Sequence, residues 1–361
     1  MNDDTFKKLL KEIKWLDADV CGKDFFLTWE KNINELKQIL YVAEALKLLR
    51  DNNISTRCFD SGLAVSLYRN KSTRARISFA SAANLLGLTV QELDESSSGI
   101  THDETLRETL NTISFLTEIF GICDYMDPEG GNAYMREMAE ALDDGFKKGI
   151  LPQRPGIVNL QNGIDHPTLA MASLLHLKNH FGSLERLKGK KMVVTWTYSP
   201  GPGKPLSVPQ GIIGLVTRFG MELTLAHPKG YNLLSEIIDI AEKNAAESGG
   251  KFEMVQSMDE TFADADIVAA LNWIPYPVME RRKKLLKNKN QAGLQKLEQA
   301  CLEQNARHKD WGCTEEKMTL KKEEEALYMS YIIASMVLNN RFQDSARVLE
   351  TLKKRNIKRT I

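Results

Sequence analysis

The apolar positions of the chain fall into two alternating patterns. Leu63–Tyr68, 119–123, Gly156–Leu160, Met192–Trp196, 221–226, 252–255 and 266–271 are short, dense apolar runs of the length expected for buried strands. Between them lie segments whose apolar residues recur at helical spacing. Residues 33–51 place Ile33, Leu36, Leu40, Val42, Leu46 and Leu49 in this way. Further helices are predicted from Thr73 to Leu86 with Gly87 as the stop, over 104–117, over 132–146, from Pro167 onward, and over 206–219 and 232–246. A polar helical stretch covers 276–306, Ala326–Met329 reads as one more strand, and an amphipathic helix is expected near 331–356. Strands that alternate with helices predict parallel sheets with helices on both faces. The expected fold is therefore α/β, with two doubly wound parallel-sheet domains. The polar stretch Leu184–Lys191, next to Gly182 and containing Gly189, offers a crossing into the second. In such sheets ligands lie beyond the carboxyl ends of the strands.

Composition narrows the classes. With 361 residues the chain is long enough for two domains. Its 48 basic and 48 acidic side chains cancel, so bulk charge favours neither nucleic acid nor a membrane surface. No stretch approaches the ~18 apolar residues of a spanning helix. The charged start, Met1 to Lys8, has no apolar core of the secretory kind. Cys21, Cys58, Cys123, Cys301 and Cys313 are scattered and odd in number, which fits reduced thiols in the cytoplasm. Cys301, His308 and Cys313 match no standard zinc spacing, and His176 and His180 lack a Glu between them, so no metal site is expected. The basic run Arg281–Lys284 has no interleaved aromatics and reads as a solvated helix face.

Candidate chemistry sits at two strand-to-helix junctions. The first is Tyr68-Arg-Asn-Lys-Ser72-Thr73-Arg74-Ala75-Arg76. A helix start offers free N–H groups and partial positive charge. Ser72 and Thr73 add hydroxyls, and Arg74 adds a planar fork suited to phosphate oxygens. Alone, the segment is equally an ordinary Ser/Thr cap beside surface arginines. The second junction, Asn159 to Leu169, places His166-Pro167 where a strand ends and a helix begins.

Together these residues resemble the aspartate and ornithine transcarbamoylase superfamily, which carries Ser-Thr-Arg-Thr-Arg at Ser72–Arg76 and His-Pro-x-Gln at His166–Leu169. Lys23–Glu30, Gly131–Arg136, Leu151–Pro155, Tyr198–Gly211 and His308–Glu316 resemble its knotted branch, the carbamoyltransferases of the YgeW type. The resemblance implies a carbamoyl phosphate domain over 1–165, on which a C-terminal helix 331–361 packs back, and an acceptor domain over 166–330. It further implies a trefoil knot through the loop 199–209, a homotrimer in which 94–104 is lent to a neighbour, and carbamoyl transfer to a small amino or ureido acid with no cofactor. Ser72, Thr73, Arg74, Arg76 and His166 would hold carbamoyl phosphate, with Arg74 and His166 as the catalytic pair. Lys204, Trp273 and Pro275 would face the acceptor.

The sequence also departs from that pattern. Ala75 stands for a second Thr, Leu169 for a Gln, and Cys123 for an arginine at a strand end. A His-Cys-Leu-Pro turn, which binds the acceptor in the family, is absent between Ser330 and Tyr331. Losing one oxyanion donor commonly costs ~10²–10³ in rate, so the implied reading is a family member with impaired or lost activity, a pseudoenzyme. The alternative is an active transferase with an altered acceptor.

Overall fold

The computed structural model describes residues 3–70, 72–93, 106–125, 127, 129–258, 261–262, 264–313 and 322–355. The 94–104 loop expected to reach a neighbour, and Thr314–Glu316, lie outside these. Two compact units result. The first is Met1–Cys123, Asn132–Gln161 and Ala326–Ile361; the second is Asp124–Gly131 and Asn162–Glu325. The chain thus changes units near 123, 131, 161 and 325, and Leu184–Lys191 lies inside the second unit rather than at a crossing.

In the first unit β1 (Leu63–Tyr68), β2 (Thr89–Leu93), β3 (Thr117–Asp124) and β4 (Gly156–Asn162) form a sheet in the order β2-β1-β3-β4. β1 pairs in parallel with both β2 and β3. A parallel step needs a crossover, and α3 (Thr73–Leu86), α4 (Leu106–Ser114) and α5 (Gly130–Lys147) supply them. Val65, Leu67, Phe120 and Ile122 from the sheet meet Met135, Met138 and Leu142 of α5 in one apolar cluster. α1 (Asp3–Leu16) and α2 (Ile33–Asp51) pack on each other. α2 opens with Asn32, whose side chain accepts from Glu35 N–H while Glu35 accepts from Asn32 N–H, a reciprocal cap. It buries Leu36, Leu40, Leu46 and Leu49 almost completely, each contributing about 1.5–3 kcal/mol.

α11 (Lys322–Arg341) corrects the expectation of a strand at Ala326–Met329 followed by a helix from Tyr331. One helix runs unbroken through Ser330–Tyr331. Glu323, Glu324, Glu325, Ala326, Leu327 and Met329 are strong helix formers, and from Met329 to Asn340 every residue is buried, as in a helix enclosed on all sides. Neighbours hold it in place: Ser78 Oγ donates to Ala326 O (3.1 Å), Ser81 and Ser330 share a hydroxyl bond (3.3 Å), Ser335 Oγ donates to Ile39 O (2.6 Å), and Gln38 Nε2 donates to Asn339 Oδ1 (2.9 Å). α12 (Ser345–Arg355) packs on α1 and α2. Arg154 and Asp24 form a nearly buried fork, and Asp24 also accepts from Ile157 N–H, fixing the chain ahead of α2 to the start of β4.

In the second unit β5 (Lys191–Trp196), β6 (Glu222–Ala226), β7 (Lys251–Val255) and β8 (Ile267–Leu271) form a sheet ordered β7-β6-β5-β8, with every neighbouring pair parallel. α6 (Pro167–Phe181), α7 (Ser207–Val216) and α8 (Ser235–Ser248) pack in series. The polar stretch 276–306 is two helices, α9 (Tyr276–Lys287) and α10 (Gln291–Asn305). They separate where Lys289 takes a left-handed φ of 51° and Asn290 caps α10 by accepting from Gly293 N–H. Part of the basic run is engaged here, with Lys283 paired to Asp127 (2.9 Å) and Arg282 near Glu298 (3.7 Å).

Candidate active site

The first junction follows β1. Arg69 N–H donates to Cys123 O (3.1 Å), so the chain leaves the sheet in register with the end of β3. Ser72 is the N-cap of α3, with φ −139° and ψ 107°, yet its side chain makes no capping bond. The first-turn N–H groups therefore lack a side-chain cap, and the hydroxyl is not spent as one. Thr73 and Arg74 are exposed, and Ser72 is half-buried. Arg76 is turned elsewhere, paired with Glu92 and stacked over the Tyr68 ring (4.3 Å). Arg69 lies over the Tyr134 ring (3.8 Å). Arg74 is exposed, as is Arg69. Ala75 is 1% exposed, and Tyr68 O–H donates to its carbonyl (3.3 Å). Cys123 is fully buried and stands opposite Tyr68 in the sheet.

The second junction follows β4 and is tightly knit. Asn162 Oδ1 accepts from the N–H groups of Ile164 (2.9 Å) and Asp165 (2.7 Å), while Asn162 N–H donates to Asp165 O (3.0 Å). His166 is the N-cap of α6 with Pro167 in the first turn, and its carbonyl accepts from Leu169 and Ala170. The ring is almost buried, and Thr168 Oγ1 lies 3.2 Å from Nδ1. In the tautomer where Thr168 donates to Nδ1, Nε2 carries the hydrogen and is the donor. Leu169 is buried. Gln210 Nε2 donates to Ile164 O (2.7 Å), and its Oε1 accepts from Leu234 N–H (3.2 Å). Gly211 lies so close that a Cβ there would come within 2.4 Å of Asp165 Oδ1.

The expected acceptor-side residues sit on two connections of the second unit, β5–α7 and β8–α9, which meet at one bridge. Lys204 forms an isolated parallel bridge with Trp273: its N–H donates to Asn272 O (3.2 Å) and its carbonyl accepts from Ile274 N–H (2.9 Å). Lys204 is exposed. Trp273 is fully buried, its indole N–H given to Tyr231 O (2.8 Å) and its carbonyl accepting from the Trp196 indole (3.0 Å). It packs inside the loop and braces it. Pro275 is the buried N-cap of α9. The first unit therefore carries Ser72–Arg76 and Cys123, and the second carries His166, Leu169, Lys204, Trp273 and Pro275. Sequence reasoning missed Asn162, Asp165, Gln210 and Gly211, which build the His166 turn. The signal available was Asn162-Gly-Ile-Asp165 straight after a strand, a run of turn-forming residues.

A family model of the carbamoyl-P binding domain of aspartate/ornithine carbamoyltransferase matches residues 23–179, and that of the Asp/Orn binding domain matches 206–325. The chain belongs to the aspartate/ornithine carbamoyltransferase family. This carbamoyltransferase-family chain is 58% identical over 332 residues to "Putative carbamoyltransferase YgeW" of Escherichia coli O157:H7, covering 92% of this chain and 84% of that protein. N-acetylornithine carbamoyltransferase of Xylella fastidiosa (strain 9a5c) is 30% identical over 264 residues, covering 71% of this chain and 76% of that one. Among solved structures, N-acetyl-L-ornithine transcarbamylase superposes with a TM-score of 0.65 at 22% identity, over 87% of this chain and 98% of that one. At that identity the likeness shows the carbamoyltransferase fold alone. Among the described residues no helix is long and apolar enough to cross a membrane, and no three His, Cys, Asp or Glu side chains group as a metal site.

Proposed function

We propose that the chain binds carbamoyl phosphate at the β1–α3 turn and has lost most of the transfer step. The observation that carries this reading is the uneven state of α3's first turn. Ser72 makes no cap bond and Thr73 and Arg74 face solvent, whereas Ala75 and Cys123 are buried and bring no side-chain donor suited to a carbamoyl oxygen. In the proposed roles Ser72, Thr73 and Arg74 hold the phosphate through hydrogen bonds and the helix start. Arg76 braces the turn through Glu92. The family resemblance gives His166 the role of donor to the carbonyl oxygen, and Thr168 Oγ1 lies 3.2 Å from its Nδ1. Transfer itself is attack of a neutral amine nitrogen on the carbamoyl carbon, collapse of the tetrahedral adduct, and departure of phosphate with loss of a proton from nitrogen. Leu169 offers no donor at that adduct, and α11 runs through Ser330–Tyr331 without the family's acceptor turn.

A second reading, retained transfer to a small amino or ureido acid, draws on the names of the curated relatives and on exposed Lys204 beside the β8–α9 connection. The finer family features belong to the same proposal: a knot through 199–209, a homotrimer, and a cytoplasmic setting in keeping with five cysteines that form no disulfide.

Calorimetric titration with carbamoyl phosphate and with a phosphonoacetyl bisubstrate mimic separates these readings, together with an assay for new ureido product. Binding without product across a panel of amino and ureido acids is expected. Steady product formation overturns the loss of transfer, and no binding at ten-millimolar ligand overturns the site. Ala75→Thr with Leu169→Gln should tighten binding, since both add a donor.

A further inference from the structure

The first unit holds a cavity of about 330 Å³ between α12 and the segment that precedes β1. This falls at the lower end of small-molecule sites, roughly 300–1,000 Å³. Cys58 precedes the first residue of β1, whereas Ser72 follows its last, so the six-residue strand separates the two places by roughly 20 Å.

The cavity has an apolar floor and a basic rim. Phe342, Val348 and Leu352 supply the floor with Cys58, and Leu352 is 3% exposed. Cys58 and Phe59 both donate N–H to Leu86 O (3.0 Å each), and the Phe59 and Phe342 rings meet at 5.3 Å, tilted by 50°, which fixes the wall opposite α12. Burial pushes the Cys58 thiol up to about 12, so the floor carries no negative charge at neutral pH. Arg347, Thr351 and Arg355 lie at successive i, i+4 positions of α12, along one face. All three are exposed and line the cavity. Among the described residues neither guanidinium has an ion-pair partner, although salt bridges occupy Lys354 on the same helix. The one acid in the lining, Asp344, already accepts from Arg347 N–H (2.8 Å) as the cap of α12.

Two unpaired guanidiniums and a hydroxyl over an apolar floor select an amphipathic anion. We infer that this cleft binds a small organic carboxylate with an apolar body. The carboxylate takes one or both forks of Arg347 and Arg355, bidentate in the usual geometry, and the hydrocarbon lies against Phe342, Val348 and Leu352. The inference is independent of the carbamoyl phosphate reading, because it uses neither the β1–α3 turn nor the His166 turn.

Calorimetric titration of the full chain with hexanoate, hexanol, hexylamine and inorganic phosphate tests it. Hexanoate should bind at about millimolar concentration, as suits a ligand with so few atoms, with hexanol much weaker and hexylamine silent. Arg347→Gln and Arg355→Gln should each weaken hexanoate about tenfold without shifting the melting temperature, since both side chains are exposed. Val348→Trp should block binding by filling the floor. Equal affinity for hexanol, displacement of hexanoate by equimolar phosphate, no binding at ten times the expected concentration, or no change in the arginine variants would each overturn the assignment.

Discussion

Two strand-to-helix turns with the same outline are built to opposite plans. The turn after β1 leaves its cap hydroxyl unbonded and its next two side chains in solvent. The turn after β4 commits most of its groups internally: Asn162 Oδ1 to two backbone amides, Gln210 to a carbonyl and an amide, His166 against Thr168, while the Asn162 Nδ2 and Asp165 Oδ1 atoms are buried without a hydrogen bond among the described residues. The first is a surface that a ligand can complete. The second is a mount that fixes one imidazole before any ligand arrives, and preorganised donors cost no rearrangement at the moment of reaction. Open groups lend themselves to binding, while committed groups lend themselves to orientation.

This contrast can be broken in four ways, taken here from the largest expected effect to the smallest. Cys123→Arg places a guanidinium in a fully buried position beside the open turn. About 3–5 kcal/mol of stability should be lost in urea denaturation; a neutral result would mean that the end of β3 opens to solvent and that the family's arginine can be restored there. Gly211→Ala should cost about 1–3 kcal/mol, because its methyl would meet Asp165 Oδ1 at 2.4 Å. If stability holds, the mount is softer than its hydrogen bonds suggest. Arg74→Ala should leave stability within about 0.5 kcal/mol and weaken carbamoyl phosphate about tenfold by calorimetry. A stability loss without a binding loss would place Arg74 in the scaffold and reverse the comparison.

The smallest effect is pH dependence in the second unit. Burial holds His227 below its ordinary value of 6.5, partly offset by the hydrogen bond to Pro228 O (2.9 Å). The unfolded chain therefore takes up the proton first as pH falls. The stability contributed by neutral His227 is complete above about pH 6.5 and is lost as the pH drops through its lower folded value. The denaturation midpoint should fall between pH 7 and 5, and His227→Gln should flatten that slope. An unchanged slope would assign the loss to groups other than His227; Asp127 is not one of them, because Lys283 and the Gly130 and Glu129 amides outweigh its burial and hold it low, so its contribution is lost only below about pH 4.

Both turns were legible in the sequence because their signals are local: a Ser-Thr-Arg run and a His-Pro, each at the end of a dense apolar run. The alternation of strand and helix was legible for the same reason. β2 was not, since Thr89–Leu93 is largely exposed on an edge and has no apolar density. α1 was passed over because seven of its fourteen residues are charged, although Phe6, Leu9, Ile13 and Leu16 recur at helical spacing and are buried. The helix at Ala326–Met329 was misread as a strand because a short apolar run fits either form, and its helical state depends on Ser78 and Ser81 almost 250 residues earlier. The burial of Trp273 was not legible either, because Tyr231 and Trp196, which hold it, are linked to it by no local pattern.

α11 also sets the order in which the molecule can be made. Gln38 and Asn339 are 301 residues apart, yet they meet inside the first unit. At a synthesis rate of about 5–20 residues per second, α2 waits roughly 15–60 s for the helix that covers it. Through that interval Leu36, Leu40 and Leu46 stand as apolar surface on a nascent chain, while Asn162–Glu325 has emerged and can close. The part of the protein that is translated first is thus completed last.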